Sequence, residues 1–84
     1  MNKILRFTSS TCGPCKLLAK TLEHTDLGAE VEVVDTDAWP DIAESYNIRS
    51  IPTLVYLKGE KEVGRISGVK TALALEDWAH KLAV

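Results

Sequence analysis

The chain has 84 residues, 45% of them hydrophobic and 26% charged, with a net charge of −2; this is the balance of a water-soluble protein with one core, so residues 1–84 are read as a single domain and disorder is excluded. Its lysines and arginines are scattered and make no basic stripe able to neutralise phosphates, which argues against nucleic acid as a partner. No segment approaches the roughly 20 apolar residues that span a bilayer, and the opening MNKILRFTSS is too broken for a signal-peptide core, so a cytoplasmic protein with no membrane partner is expected.

Lys3–Ser9 (KILRFTS) is short, β-prone and mostly apolar, and reads as a strand running into a Ser/Thr turn. The period then changes: Leu17, Leu18, Ala19 and Leu22 follow Cys15 at helical spacing, on a helix that begins near Cys12 and that Gly28 stops. Glu30–Asp35 (EVEVVD) alternates as a second strand. Pro40 suits the first turn of a short helix, with Asp37 as its cap, because proline has no N–H to lose there. Thr53–Lys58 (TLVYLK) is a third strand, and the tight turn KGEK leads into Glu62–Ser67, a fourth. The chain closes with a helix over Thr71–Leu82, whose Leu73, Leu75, Trp78, Ala79 and Leu82 are expected on one apolar face. Phe7, Tyr46 and Tyr56 are expected to fill the core; Trp39 is either a rim aromatic that supports substrate contact or a packing residue over the sheet end, with packing the default. His24 and His80 read as surface helix residues.

The order is β-α-β-α-β-β-α. A parallel pair needs a crossover helix, whereas the last two strands share a turn too short for anything but an antiparallel hairpin. The fold class is therefore α/β, a four-stranded mixed sheet of order 2-1-3-4 flanked by helices, with strand one at the centre. In that topology the loops carrying Cys12 and Trp39, the start of strand three at Pro52 and the end of strand four at Gly68 share one rim.

Both cysteines, Cys12 and Cys15, lie in the stretch SSTCGPCKLL, and three chemistries compete for them. A tetrahedral zinc site needs four ligands, usually in closely spaced pairs, and only the two distant histidines remain to supply the rest. A structural bridge between residues three apart closes too small a loop to restrain the unfolded chain much. A reversible dithiol fits best: at a helix start Cys12 lies against unpaired backbone N–H groups and the positive end of the helix dipole, which favour its thiolate, and Cys15 follows on the same face to resolve a mixed disulfide. Pro14 stiffens the link and Gly13 leaves room for a substrate chain.

Cys12-Gly13-Pro14-Cys15-Lys16, together with the distant run Tyr46-Asn47-Ile48-Arg49-Ser50-Ile51-Pro52-Thr53-Leu54, resembles the thioredoxin family, in a short thioredoxin/glutaredoxin-like form that lacks an N-terminal strand and helix. The resemblance implies a minimal thioredoxin fold and a thiol–disulfide oxidoreductase that reduces protein disulfides, with Cys12 as nucleophile and Cys15 as resolving residue. It further implies an active-site loop of Thr11, Gly13, Pro14 and Lys16, a cis Ile51–Pro52 bond, and substrate contacts at Ile51, Pro52 and Gly68. No bound cofactor and no metal are expected, since the electrons reside in the Cys12–Cys15 pair. The implied partners are disulfide-containing proteins and a thioredoxin-reductase-type flavoenzyme, and a monomer is expected. Two departures stand out. Arg6 occupies a position where the family usually carries a buried aspartate; it is expected to reach solvent or to pair with Asp35 or Asp37. Thr11 replaces a tryptophan, and Ser9 and Ser10 are more like glutaredoxins. The rival readings are a glutaredoxin-like protein recharged by glutathione and a redox-inactive binding module on the same fold.

Overall fold

The elements follow in the expected order in the computed structural model, which describes residues 1–84. They are β1 (Asn2–Thr8), α1 (Gly13–Leu22), β2 (Glu30–Asp35), α2 (Pro40–Ser45), β3 (Thr53–Lys58), β4 (Lys61–Ser67) and α3 (Ala72–Ala83). The sheet order is β2-β1-β3-β4, with β1 parallel to β2 and antiparallel to β3, and β3 antiparallel to β4. This is the mixed sheet expected from the pattern, in the thioredoxin fold that the resemblance implies.

Alternation along β1 divides the core. Ile4 joins Leu18, Leu27, Leu54, Tyr56, Leu75 and Ala79 on the α1 and α3 side, while Leu5 and Phe7 join Val34, Val55 and Leu57 on the α2 side. The two inner strands are covered on both faces, so β3 reads as a continuous apolar run and five of its six residues are buried. Tyr56 is fully buried and its hydroxyl accepts a hydrogen bond from Asn2 Nδ2 at 3.1 Å; Trp78, half-buried rather than central, meets its ring edge-on at 5.8 Å. Tyr46 is likewise half-buried and leans on Phe7.

Several expectations are corrected. α1 ends at Leu22 instead of running to Gly28, because the chain unwinds through i→i+3 turns (His24 N to Thr21 O, Thr25 N to Leu22 O) while Thr25 Oγ1 donates to the Thr21 carbonyl at 2.6 Å. Gly28 instead serves the next strand, since at φ +68° it turns the chain into β2. Asp37 does not cap α2, whose N-cap is Trp39 with no side-chain bond. Leu17 and Leu73 point to solvent, 58% and 79% exposed. Each lies two residues from a buried neighbour, Cys15 or Leu75, and so on the wrong side of a 3.6-residue turn. Trp39 is 56% exposed and is not a packing residue. Of the two alternatives for Arg6, pairing with Asp35 or Asp37 is not found, the ion pairs being Lys3–Glu32, Glu62–Arg65 and Asp77–Lys81, and its half-buried side chain keeps part of its surface in solvent.

Of these pairs, Glu62–Arg65 reaches beyond its own strand. Arg65 holds Glu62 through two nitrogens at 2.6 and 2.8 Å and also donates from Nη2 to the Tyr46 carbonyl at 2.9 Å, tying β4 to the end of α2. β2, by contrast, is an edge strand, with Val31 and Val33 exposed.

Two outcomes follow from this packing. Leu75→Ala removes a fully buried side chain and costs about 2–5 kcal/mol in urea unfolding, whereas Leu73→Ser stays within about 0.5 kcal/mol of the parent. Hydrogen bonds from Arg65 hold the Glu62 carboxyl below its usual value; partial burial opposes this and the guanidinium charge adds to it. A carboxyl depressed on folding stabilises at neutral pH and loses that contribution as the pH falls through its folded value. Glu62→Gln therefore lowers Tm at neutral pH, and the gap to the parent closes at the acid end of a Tm–pH series.

Candidate functional site

β1 ends at Thr8, and the next four residues bring the chain round to Cys12, the N-cap of α1. An N-cap normally satisfies one of the helix's free N–H groups with a side-chain oxygen. Here a sulfur does so: Cys15 N–H donates to Cys12 Sγ at 3.1 Å. Gly13 and Pro14 occupy the first two helical positions, no acidic residue lies in the first turn, and Lys16 follows at the surface. The positive end of the helix is thus left uncompensated at the sulfur.

Cys12 and Cys15 are joined in a disulfide with Cα atoms 5.2 Å apart. The two sulfurs differ in access, Cys12 being partly exposed and Cys15 only 1% exposed. Gly13, Pro14 and Thr11 are exposed around them, and a side chain added at Gly13 meets nothing within 4 Å.

The second half of the site arrives from β3. The Ile51–Pro52 bond is cis, and the Ile51 carbonyl oxygen lies 4.0 Å from Cys12 Sγ. Pro52 is buried while Ile51 is half-buried. Gly68, at φ +85°, donates its N–H to the Pro52 carbonyl at 2.9 Å. Thr53 Oγ1 donates to the Ser50 carbonyl at 2.7 Å and shares a 2.9 Å hydrogen bond with Ser67 Oγ. The ends of β3 and β4 are thereby fixed beside the disulfide. Trp39 follows the β2 terminus, so the rim read from topology has its parts at one end of the sheet.

One set of contacts was not foreseen. Ser9 Oγ, in a 7% exposed residue, donates to Asp37 Oδ2 at 2.6 Å, accepts the Thr11 N–H at 3.4 Å and lies 3.2 Å from Thr11 Oγ1. Parallel pairing sets Thr8 opposite Asp35, which leaves the residues just beyond both strands side by side; that register was the available signal. Asp37 thus braces the approach to Cys12. No cluster of three histidine, cysteine or carboxylate side chains suited to a metal ion is present.

Comparison with known proteins agrees with this geometry. The thioredoxin family model matches residues 2–81. A thioredoxin-like protein of Synechocystis is 41% identical over 76 residues, covering 86% of this chain and 72% of the relative. A thioredoxin of Chlamydia caviae is 43% identical over 72 residues, covering 80% and 69% respectively. Among solved structures, a mutant thioredoxin from Halobacterium salinarum superposes with a TM-score of 0.87 at 29% identity, over 99% of this chain and 75% of that one.

Replacing the brace tests its role in holding the loop. Asp37→Ala leaves the Ser9 hydroxyl without its charged acceptor, and the loss is about 1.5–3 kcal/mol in denaturant unfolding.

Proposed function

We propose that this chain, which belongs to the thioredoxin family and is a thiol–disulfide oxidoreductase acting on protein disulfides, divides the reaction between its two cysteines, Cys12 attacking and Cys15 resolving. The observation that carries this assignment is their unequal setting: a partly exposed N-cap sulfur against a 1% exposed one. Only the first is open to a protein substrate.

In the reduced protein the Cys12 thiolate is stabilised by the Cys15 N–H and the helix N-terminus. It attacks one sulfur of a substrate disulfide; that S–S bond breaks, and the departing sulfur leaves as a thiolate that takes a proton from water. The Cys15 thiolate then attacks Cys12 Sγ. The mixed disulfide breaks, the second substrate sulfur leaves as a thiolate, and the Cys12–Cys15 disulfide forms. Two electrons have passed from the dithiol to the substrate.

Thr11, Gly13, Pro14 and Lys16 form the active-site loop, and their exposure leaves a flat approach. An extended substrate segment lies against Ile51, Pro52 and Gly68, using main-chain hydrogen bonds as a strand edge does. A thioredoxin-reductase-type flavoenzyme reduces the pair again, so no bound cofactor is needed. Residues 1–84 act as one domain, monomeric and cytoplasmic.

Insulin disulfide reduction tests the reading, run with thioredoxin reductase and NADPH and in parallel with glutathione and glutathione reductase. Turnover is expected with the first system, is abolished in Cys12→Ser, and is replaced in Cys15→Ser by a covalent substrate adduct seen by mass spectrometry. Turnover with glutathione alone makes the protein glutaredoxin-like, and no Cys12-dependent reduction even with dithiothreitol makes it a binding module.

A further inference from the structure

Arg6 is the one half-buried cation that the fold leaves without a partner. It lies on the β1 face shared with Ile4 and Thr8, under α1, between Val33 of β2 and Leu54 of β3. No carboxylate pairs with it. A partly desolvated guanidinium with no counter-charge is unfavourable, which raises the question of what anion completes its surroundings.

Arg6 borders two spaces: one of about 420 Å³ that also holds Glu23 and Asp26, neither of which pairs with it, and a second that reaches Cys15. This second space, a cleft of about 260 Å³ between α1 and the β1–β2 pair, is bounded by Arg6, Thr8, Ser9, Cys15, Lys16 and Asp35, with Ser10, Ala19 and Val33 at its margin. Its charged members are two cations, Arg6 from β1 and Lys16 from α1, against one carboxylate, Asp35 from β2. Asp35 accepts the Asp37 N–H at 2.9 Å, and the Asp37 carboxylate is taken up by Ser9. In the oxidised protein Cys15 is bound in the disulfide and carries no charge. Reduction is the event that can add a second negative charge to this cleft, on the Cys15 sulfur beside the existing Asp35 carboxylate.

We propose that Arg6 is a positioning residue for the resolving step, holding the Cys15 sulfur as a thiolate while Cys12 is occupied by substrate. This rests on the division of labour between the cysteines given above. A neighbouring guanidinium favours the thiolate, so Cys15 ionises to solvent before it is needed and no carboxylate has to take its proton during the attack. The electron pair of the Cys15 thiolate forms the bond to Cys12 Sγ, the Cys12–substrate bond breaks, and its electrons leave on the substrate sulfur. Lys16 adds to the same field from the exposed side.

The experiment has two readouts. In Cys12→Ser, where Cys15 is the sole thiol, the thiolate is titrated by its ultraviolet absorbance with Arg6 intact and with Arg6→Met, Arg6→Lys and Arg6→Asp. The midpoint rises by about one pH unit in Arg6→Met, a tenfold loss of thiolate near neutrality, rises further in Arg6→Asp, and is restored in Arg6→Lys. An Arg6→Met midpoint equal to that of the Arg6 protein overturns the proposal. In the protein with both cysteines, thionitrobenzoate is loaded on Cys12 and its release by Cys15 is timed. Arg6→Met releases it about tenfold more slowly at neutral pH and at the parent rate in alkali, where Cys15 is ionised in both. Equal slowing at every pH assigns Arg6 a purely structural effect and also overturns it. Since the titration needs no substrate, it reads Arg6 even if insulin reduction fails in the parent protein, so the two readings fail separately.

Discussion

The arrangement depends on one unpaired amide. The start of any α-helix leaves N–H groups with no partner in the helix, and here the Cys15 N–H is answered by Cys12 Sγ at 3.1 Å. A sulfur in an N-cap position is held at the positive end of the helix by the same geometry that closes that end. Capping and reactivity are thus one interaction. The parallel sheet sets where it occurs: β1 is central, and α1 springs from the end of it that the cis Ile51–Pro52 loop also reaches.

The support of this rim is mostly polar and local. Ser9, Asp37 and Thr11 hold the approach to Cys12, while Thr53 and Ser67 tie the start of β3 to the end of β4. Arg65 extends the tie to the Tyr46 carbonyl. The Ser9, Asp37 and Thr11 bonds and the Thr53–Ser67 bond connect segments at one end of the sheet, whereas Arg65 makes its tie from mid-strand, opposite Val55. The core beneath can therefore be built from ordinary aliphatic packing while the rim sets the position of the sulfur.

The sequence was most informative where a single physical period dominates. Alternation in Glu30–Asp35 and the continuous apolar run of Thr53–Lys58 gave β2 and β3 with their observed ends, and the short KGEK turn required the β3–β4 hairpin. The paired cysteines were legible because their spacing carries chemistry, and the distant Ile51–Pro52 run through its resemblance to a family motif. Illegible were features decided by what lies opposite. The early end of α1 rests on hydrogen bonds of Thr21 and Thr25 that no apolar pattern records. Asp37 lies two residues before the cap position of α2, and the neighbouring strand end offers it Ser9 instead. Leu17 and Leu73 were misplaced by counting apolar residues without their angle around the helix. Arg6 could be seen as unusual, but its lack of a partner is a property of the assembled sheet.

The bare outer side of β2 has a consequence for how molecules of this protein meet. An edge strand is a template for further pairing, and exposed Val31 and Val33 would make it adhesive. Glu30 and Glu32 alternate with them, both exposed. If two copies met antiparallel with the contact centred on Glu32, carboxylates would stand directly across from one another, an arrangement that destabilises cross-strand pairs. The same alternation that keeps this strand in register with β1 therefore discourages uncontrolled sheet growth from its free side.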